Sequence, residues 1–76
     1  MTVMWEAKAA PGRADDLLAH ALAHAAPGAD VYRGGDGRVV VIDPTGRGME
    51  DVPADLLARP AHAWRFEHVP RKPRDS

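Results

Sequence analysis

The sequence predicts an α+β domain with four antiparallel strands and two helices, in the order β-α-β-β-α-β. Three observations predict it. Val39-Val40-Val41-Ile42 is a run of four β-branched residues between a glycine-rich turn and Asp43-Pro44, which marks a strand with no polar side. Ala14, Leu17, Leu18, Ala21, Leu22 and Ala25 recur at helical spacing between two Pro-Gly breaks. From His62 to Val69 every second residue is aromatic or imidazole, through Trp64, Phe66 and His68.

Each element has its own local reason. Thr2 to Ala9 alternates Val3, Trp5 and Ala7 against Met4, Glu6 and Lys8, as a half-buried strand does, and Pro11-Gly12 ends it. The first helix is expected over 12–26. Asp15 and Asp16 lie in its first turn, where the helix dipole favours negative charge, and Pro27-Gly28 stops it. Asp30 to Arg33 and Arg38 to Asp43 read as a hairpin around Gly34-Gly35-Asp36-Gly37. Pro44 to Asp51 is a loop. Pro53 opens a short second helix through Leu56, Leu57 and Ala58, which Pro60 stops. His62 to Val69 is the last strand and ends at Pro70. One domain is thus expected over residues 1–70, with residues 71–76 a disordered basic tail.

This order is the split-βαβ, ferredoxin-like plan, a four-stranded antiparallel sheet with both helices on one face and strands one and three at its centre. The third strand is the doubly apolar one, so both of its faces call for cover. The chain's own helices can cover one. The other requires a second copy, a partner or a ligand.

Composition narrows the classes. In 76 residues the buried core is small and stability marginal, and without cysteine neither a disulfide nor a cysteine zinc site can reinforce it. Oligomerisation remains, and a homodimer formed through the sheet is expected. Ten basic and eleven acidic residues give a net charge of −1, which offers no reason to expect nucleic acid or an anionic membrane as partner. No apolar run is long enough to span a bilayer and the first residues do not resemble a secretion signal, so the expected location is cytoplasmic. The excess of arginine over lysine and the abundant alanine read as the codon bias of a GC-rich, bacterial genome.

Across Thr2 to Val69 this arrangement resembles the dimeric α/β-barrel group of ferredoxin-like proteins, which includes antibiotic-biosynthesis-type monooxygenases, haem-degrading relatives and muconolactone-isomerase-like proteins. The resemblance is one of architecture and size. It implies two sheets packed face to face with helices outside, and it assigns no catalytic residue to a position of this chain.

No stretch carries a catalytic signature, and no cofactor motif is present. His20 and His24 stand at the spacing that lets two imidazoles share a metal, yet two ligands leave a tetrahedral site half empty, so a surface or interface role is expected and no metal. The richest candidate is His62, Trp64, Phe66 and His68, with Tyr32 as a further wall. It reads either as an aromatic half-core or interface, or as a pocket holding a flat ligand while His62 or His68 moves a proton. Arg65 and Glu67 fall on the opposite face with Ala63, where Glu6 and Lys8 are expected to join them. The Gly46–Asp51 loop reads as a flexible connection or a lid. Gly34–Gly37 lacks the Lys-Ser/Thr of a phosphate loop and reads as a hairpin turn.

The first expectation is therefore a small homodimer that binds a small hydrophobic ligand or a protein partner. The alternative is a cofactor-independent monooxygenase or isomerase acting on a flat aromatic or polyketide-like substrate. A third reading is a regulatory module that docks on a larger enzyme.

Overall fold

β-Branched residues favour the extended backbone, and the apolar run forms β3 (Arg38–Asp43). It pairs on one side with β2 (Asp30–Arg33) and on the other with β1 (Thr2–Lys8), and β1 pairs in turn with β4 (His62–Phe66). All pairs are antiparallel, in the order β2-β3-β1-β4, so the two most apolar strands occupy the centre. This is a computed structural model, and it describes residues 1–71. The expected basic tail lies, apart from Arg71, outside the described residues.

One α-helix, α1 (Ala14–His24), packs on this open sheet, against β2, β3 and the segment that follows β3. Trp5 and Ala7 of β1 and Val39 and Val41 of β3 are buried on its side of the sheet, with Leu17, Ala21 and Leu56 closing the cluster, and Val3 is buried on the same side beside Gly48. The helix stripe is narrower than its spacing suggests. Leu17 and Ala21 are fully buried, but Leu22 is 64% exposed, since the helix turns it away from the sheet.

The second helix is replaced by a single 3-10 turn, Ala54–Leu56. After it the chain goes extended. Leu57 forms an isolated bridge with Ala9, Ala10 N–H donates to the Leu56 carbonyl and Ala58 N–H to that of Lys8. The segment between Pro53 and Pro60 thus prolongs the β1 ladder instead of winding, because a residue pair at the sheet satisfies backbone groups that a helix this short leaves unpaired.

β4 is also shorter than expected. It ends at Phe66, whose partner Thr2 is the first paired residue of β1, so Glu67 to Pro70 have no strand to pair with and lie outside the sheet. Every β4 residue is exposed. The reduced second helix leaves the helix side of β4 to a loop.

That loop, 44–52, is held from within. The Asp43 side chain has no accessible surface and accepts hydrogen bonds from Thr45 N–H (2.8 Å), Thr45 Oγ1 (2.6 Å) and Gly48 N–H (2.8 Å). These hold the Asp43 carboxyl below the usual carboxylate range, the Thr45 hydroxyl contributing most and prevailing over desolvation. Met49 and Val52 then pack on the core. The loop is an anchored cover over the helix side of β1. Its glycines are required: Gly46 has φ +83° and a Cβ there would lie 2.7 Å from the Met1 carbonyl oxygen. Gly46→Ala is expected to cost about 1–3 kcal/mol, read as a lower urea midpoint.

Arg13 joins the start of α1 to the 3-10 turn, bonding Asp16 at 2.8 Å and Asp55 at 3.2 Å on the surface. Water and salt screen such pairs, so Arg13→Ala is expected to leave the melting temperature nearly unchanged at physiological ionic strength.

Candidate functional site

Strand alternation divides the sheet into two faces, and the register says what shares each. On the face away from α1, Asp30, Ile42, Met4 and Trp64 form one row across the four strands, and Tyr32, Val40, Glu6 and His62 the next. Phe66 stands opposite Thr2 beyond the first row, and Lys8 opposite Arg38 beyond the second. Among the described residues nothing packs over this face. Tyr32, Trp64 and Phe66 are 53%, 43% and 50% exposed, and Met4, Val40 and Ile42 are half-buried only by their neighbours in the sheet.

Four of the five residues singled out from the sequence therefore share this face, His62, Trp64 and Phe66 on one edge strand and Tyr32 on the opposite edge, with two strands between them. His62 stacks on Trp64 with ring centroids 5.8 Å apart. The aromatic stripe is not a half-core of one chain, because the core lies on the other face. The fifth residue, His68, is not part of the stripe. It lies past the end of β4 and lines a separate open cavity of about 390 Å³ with Met1, Thr2, Pro44 and Glu67.

Glu6 and Lys8 are also displaced from their expected layer. Registration of Glu6 with His62 puts both on the open face, whereas Arg65 pairs with Val3 and faces the helix side. There Arg65 borders a small cavity of about 150 Å³, together with Val3, Gly48, Met49 and Ala63. The cross-strand charge layer expected between Glu6, Lys8, Arg65 and Glu67 does not form. Instead the Arg38 guanidinium lies 3.9 Å from Glu6 and 3.8 Å from Asp36, and its Nε is buried without a hydrogen-bond partner among the described residues.

Met4, Val40 and Ile42 complete the face with Glu6 and were not singled out as site residues. The signal was in the sequence, since the same alternation that buries Val3 and Trp5 turns Met4 and Glu6 outward. Asp43 was missed as well. Its Asp-Pro-Thr order places a carboxylate two residues before a backbone N–H, the spacing of an Asx turn.

His20 and His24 stack on the surface of α1 with ring centroids 4.2 Å apart. Among the described residues no group of three or more His, Cys, Asp or Glu is placed to hold a metal ion. Burial pushes the His20 imidazole below its ordinary range, and the neighbouring His24 adds to the effect. A lowered histidine favours the neutral form when folded, so its contribution is complete above about pH 6.5 and is lost as pH falls below it. His20→Gln is expected to reduce the loss of urea resistance between about pH 7.5 and pH 5.5.

No helix among the described residues is long and apolar enough to cross a membrane. Comparison with models of known families, with curated proteins and with solved structures finds no match.

Proposed function

We propose that this chain is a binding module on a ferredoxin-like plan, and that the open sheet face is its working surface. The observation that carries this reading is the concentration of Met4, Val40, Ile42, Tyr32, Trp64 and Phe66 on one uncovered face, while the opposite face is closed by α1 and the anchored loop. An exposed apolar surface of this kind, here interrupted by Glu6 on the central strand β1, is the usual mark of an interaction site. The central position of β1 and β3 and the antiparallel order β2-β3-β1-β4 support the ferredoxin-like plan, with the second helix reduced to one turn.

What the face offers is apolar area and three aromatic rings, those of Tyr32, Trp64 and Phe66, suited to a hydrophobic ligand or to a protein surface. The environment-sensitive dye anilinonaphthalene sulfonate tests it. At high dilution the chain is expected to enhance the dye's fluorescence, and Trp64→Ser with Phe66→Ser to remove most of that signal without lowering the melting temperature by more than a few degrees. An unchanged dye signal in the double variant would place the working surface elsewhere.

One observation favours a second reading, cofactor-independent proton transfer on a flat substrate. Glu6 stands directly opposite His62, and His62 is stacked on Trp64. A carboxylate and an imidazole on paired strand positions, with a flat ring stacked on the imidazole, are the residue types a proton-abstracting site needs. The two histidines of the original stripe now separate this reading's test. His62→Ala should abolish turnover of a flat aromatic substrate and His68→Ala should leave it intact.

A further inference from the structure

We propose that single-stranded nucleic acid binds along β4, its bases stacked on Trp64 and Phe66 and its phosphates held by Arg47 and Arg65. The inference rests on the reading of the open face as a binding surface, and adds the class of partner. Rings, charge and the position of β4 support it.

Trp64 and Phe66 are 43% and 50% exposed and stand two residues apart on one strand, about 6.6 Å along it. That is roughly twice the 3.4 Å rise per nucleotide of a stacked strand, so an unstacked strand can lay one base on each ring. Such stacking tolerates any sequence, because every base has a flat face. His62 stacks on Trp64 at 5.8 Å and extends the row by one more ring.

The net charge of −1 is unevenly distributed. From Leu56 onward five lysines and arginines meet two acids, whereas the residues before it carry five against nine. Two of the arginines border one cavity. Arg47 and Arg65 line the space of about 150 Å³ that Ala63 and Trp64 also bound, and no acidic residue lines it. Among the described residues the ion pairs engage only Arg13 and Arg38, so both of these guanidinium groups are left for an anion. The Gly48 N–H bonded to Asp43 at 2.8 Å fixes the backbone next to Arg47. The forked donors of arginine match the oxygens of a phosphate.

β4 is an edge strand, with β1 on one side and no strand on the other. Trp64 and Phe66 stand on its open face and Arg65 on its helix side, so rings and arginines flank a single free edge. A polymer running along that edge reaches both, its bases to one side and its phosphates to the other. A compact ligand confined to the open face reaches the rings alone. The acids of the face, Glu6 and Asp30, stand inward on β1 and β2, and Glu67 lines a different cavity past the end of β4.

Fluorescence anisotropy of a labelled short oligothymidylate, titrated with the full chain, tests this. Binding is expected, and Trp64→Ala should weaken it roughly tenfold or more. Arg47→Ala with Arg65→Ala should weaken it too, and should flatten its salt dependence by about 1.4 in logarithmic slope, at about 0.7 per phosphate. Arg13→Ala removes a like charge at the start of α1 and should change neither quantity. Trp5 is 4% exposed, so quenching of intrinsic fluorescence on binding belongs to Trp64. A duplex of the same length should bind more weakly, since its paired and stacked bases present no free faces. Absence of oligonucleotide binding would overturn the proposal, as would a duplex bound equally well or an affinity indifferent to both the Trp64 and the arginine changes. Capture by vesicles of acidic phospholipid without any by the oligonucleotide would assign the surface to a membrane and overturn it as well. Dye binding that persists through such a failure would keep the open face as a working surface, and its loss would remove that reading too.

Discussion

Trp5→Ala is expected to unfold most of the chain, whereas Trp64→Ala, the same change one strand away, is expected to leave a single chain folded. Trp5 is 4% exposed at the centre of the cluster with Leu17, Val39 and Val41, and truncating a buried aromatic costs about 3–5 kcal/mol. A chain of 76 residues has a total stability of roughly 4–11 kcal/mol, and this thin core belongs at the lower end. Trp64 is 43% exposed on the open face, so its removal should cost under about 1 kcal/mol within one chain. Urea unfolding followed by far-ultraviolet circular dichroism checks the pair. Should the two variants lose equal stability, the assignment of core and open face would be wrong. A Trp64→Ala chain whose melting temperature no longer depends on concentration, against a parent whose temperature does, would report the loss of an assembly.

Asp43→Asn should have the next largest effect. The carboxylate is the common acceptor for Thr45 N–H, Thr45 Oγ1 and Gly48 N–H, and without accessible surface it has no water to replace them. An amide of the same shape turns a donor toward donors and frees the loop that carries Met49 and Val52 onto the core. We expect a melting temperature lower by roughly 10 °C at neutral pH. The pH dependence follows from the depressed carboxyl. Its folded value lies below its unfolded one, so its contribution is complete above about pH 4 and is lost as pH falls through the folded value. Asp43→Asn should therefore flatten the acid limb of a stability profile, and equal acid limbs in parent and variant would show that the carboxylate is not what titrates there.

The local signals were read correctly where the physics is local. β2 and β3 fall at the expected residues, because a glycine-rich turn, with Gly37 at φ +81°, between two strand-forming segments specifies a hairpin within a dozen or so residues. The first helix lies where its spacing and its Pro-Gly flanks put it, shortened by two residues at each end. The candidate stripe on β4 was legible as alternation, and Tyr32, His62, Trp64 and Phe66 do share a face. His68 did not follow, since alternation carries no information about where the partner strand ends.

What needed the fold was everything decided between distant segments. Pro53 to Pro60 has the composition of a short helix, but the free end of β1 offers backbone partners at Ala9 and Lys8, and the ladder prevails. Glu6 meets His62 and not Arg65 because the β1–β4 register sets it there, and a shift of one residue would have reversed that. Asp43 ended a strand in the sequence and became the anchor of a loop only when Gly48 folded back onto it. By itself the sequence determined that four strands form, that β3 is apolar on both sides and that one side would lack cover. Only the tertiary structure decided which side, because α1 can pack on either face of an isolated strand and on only one face of the assembled sheet.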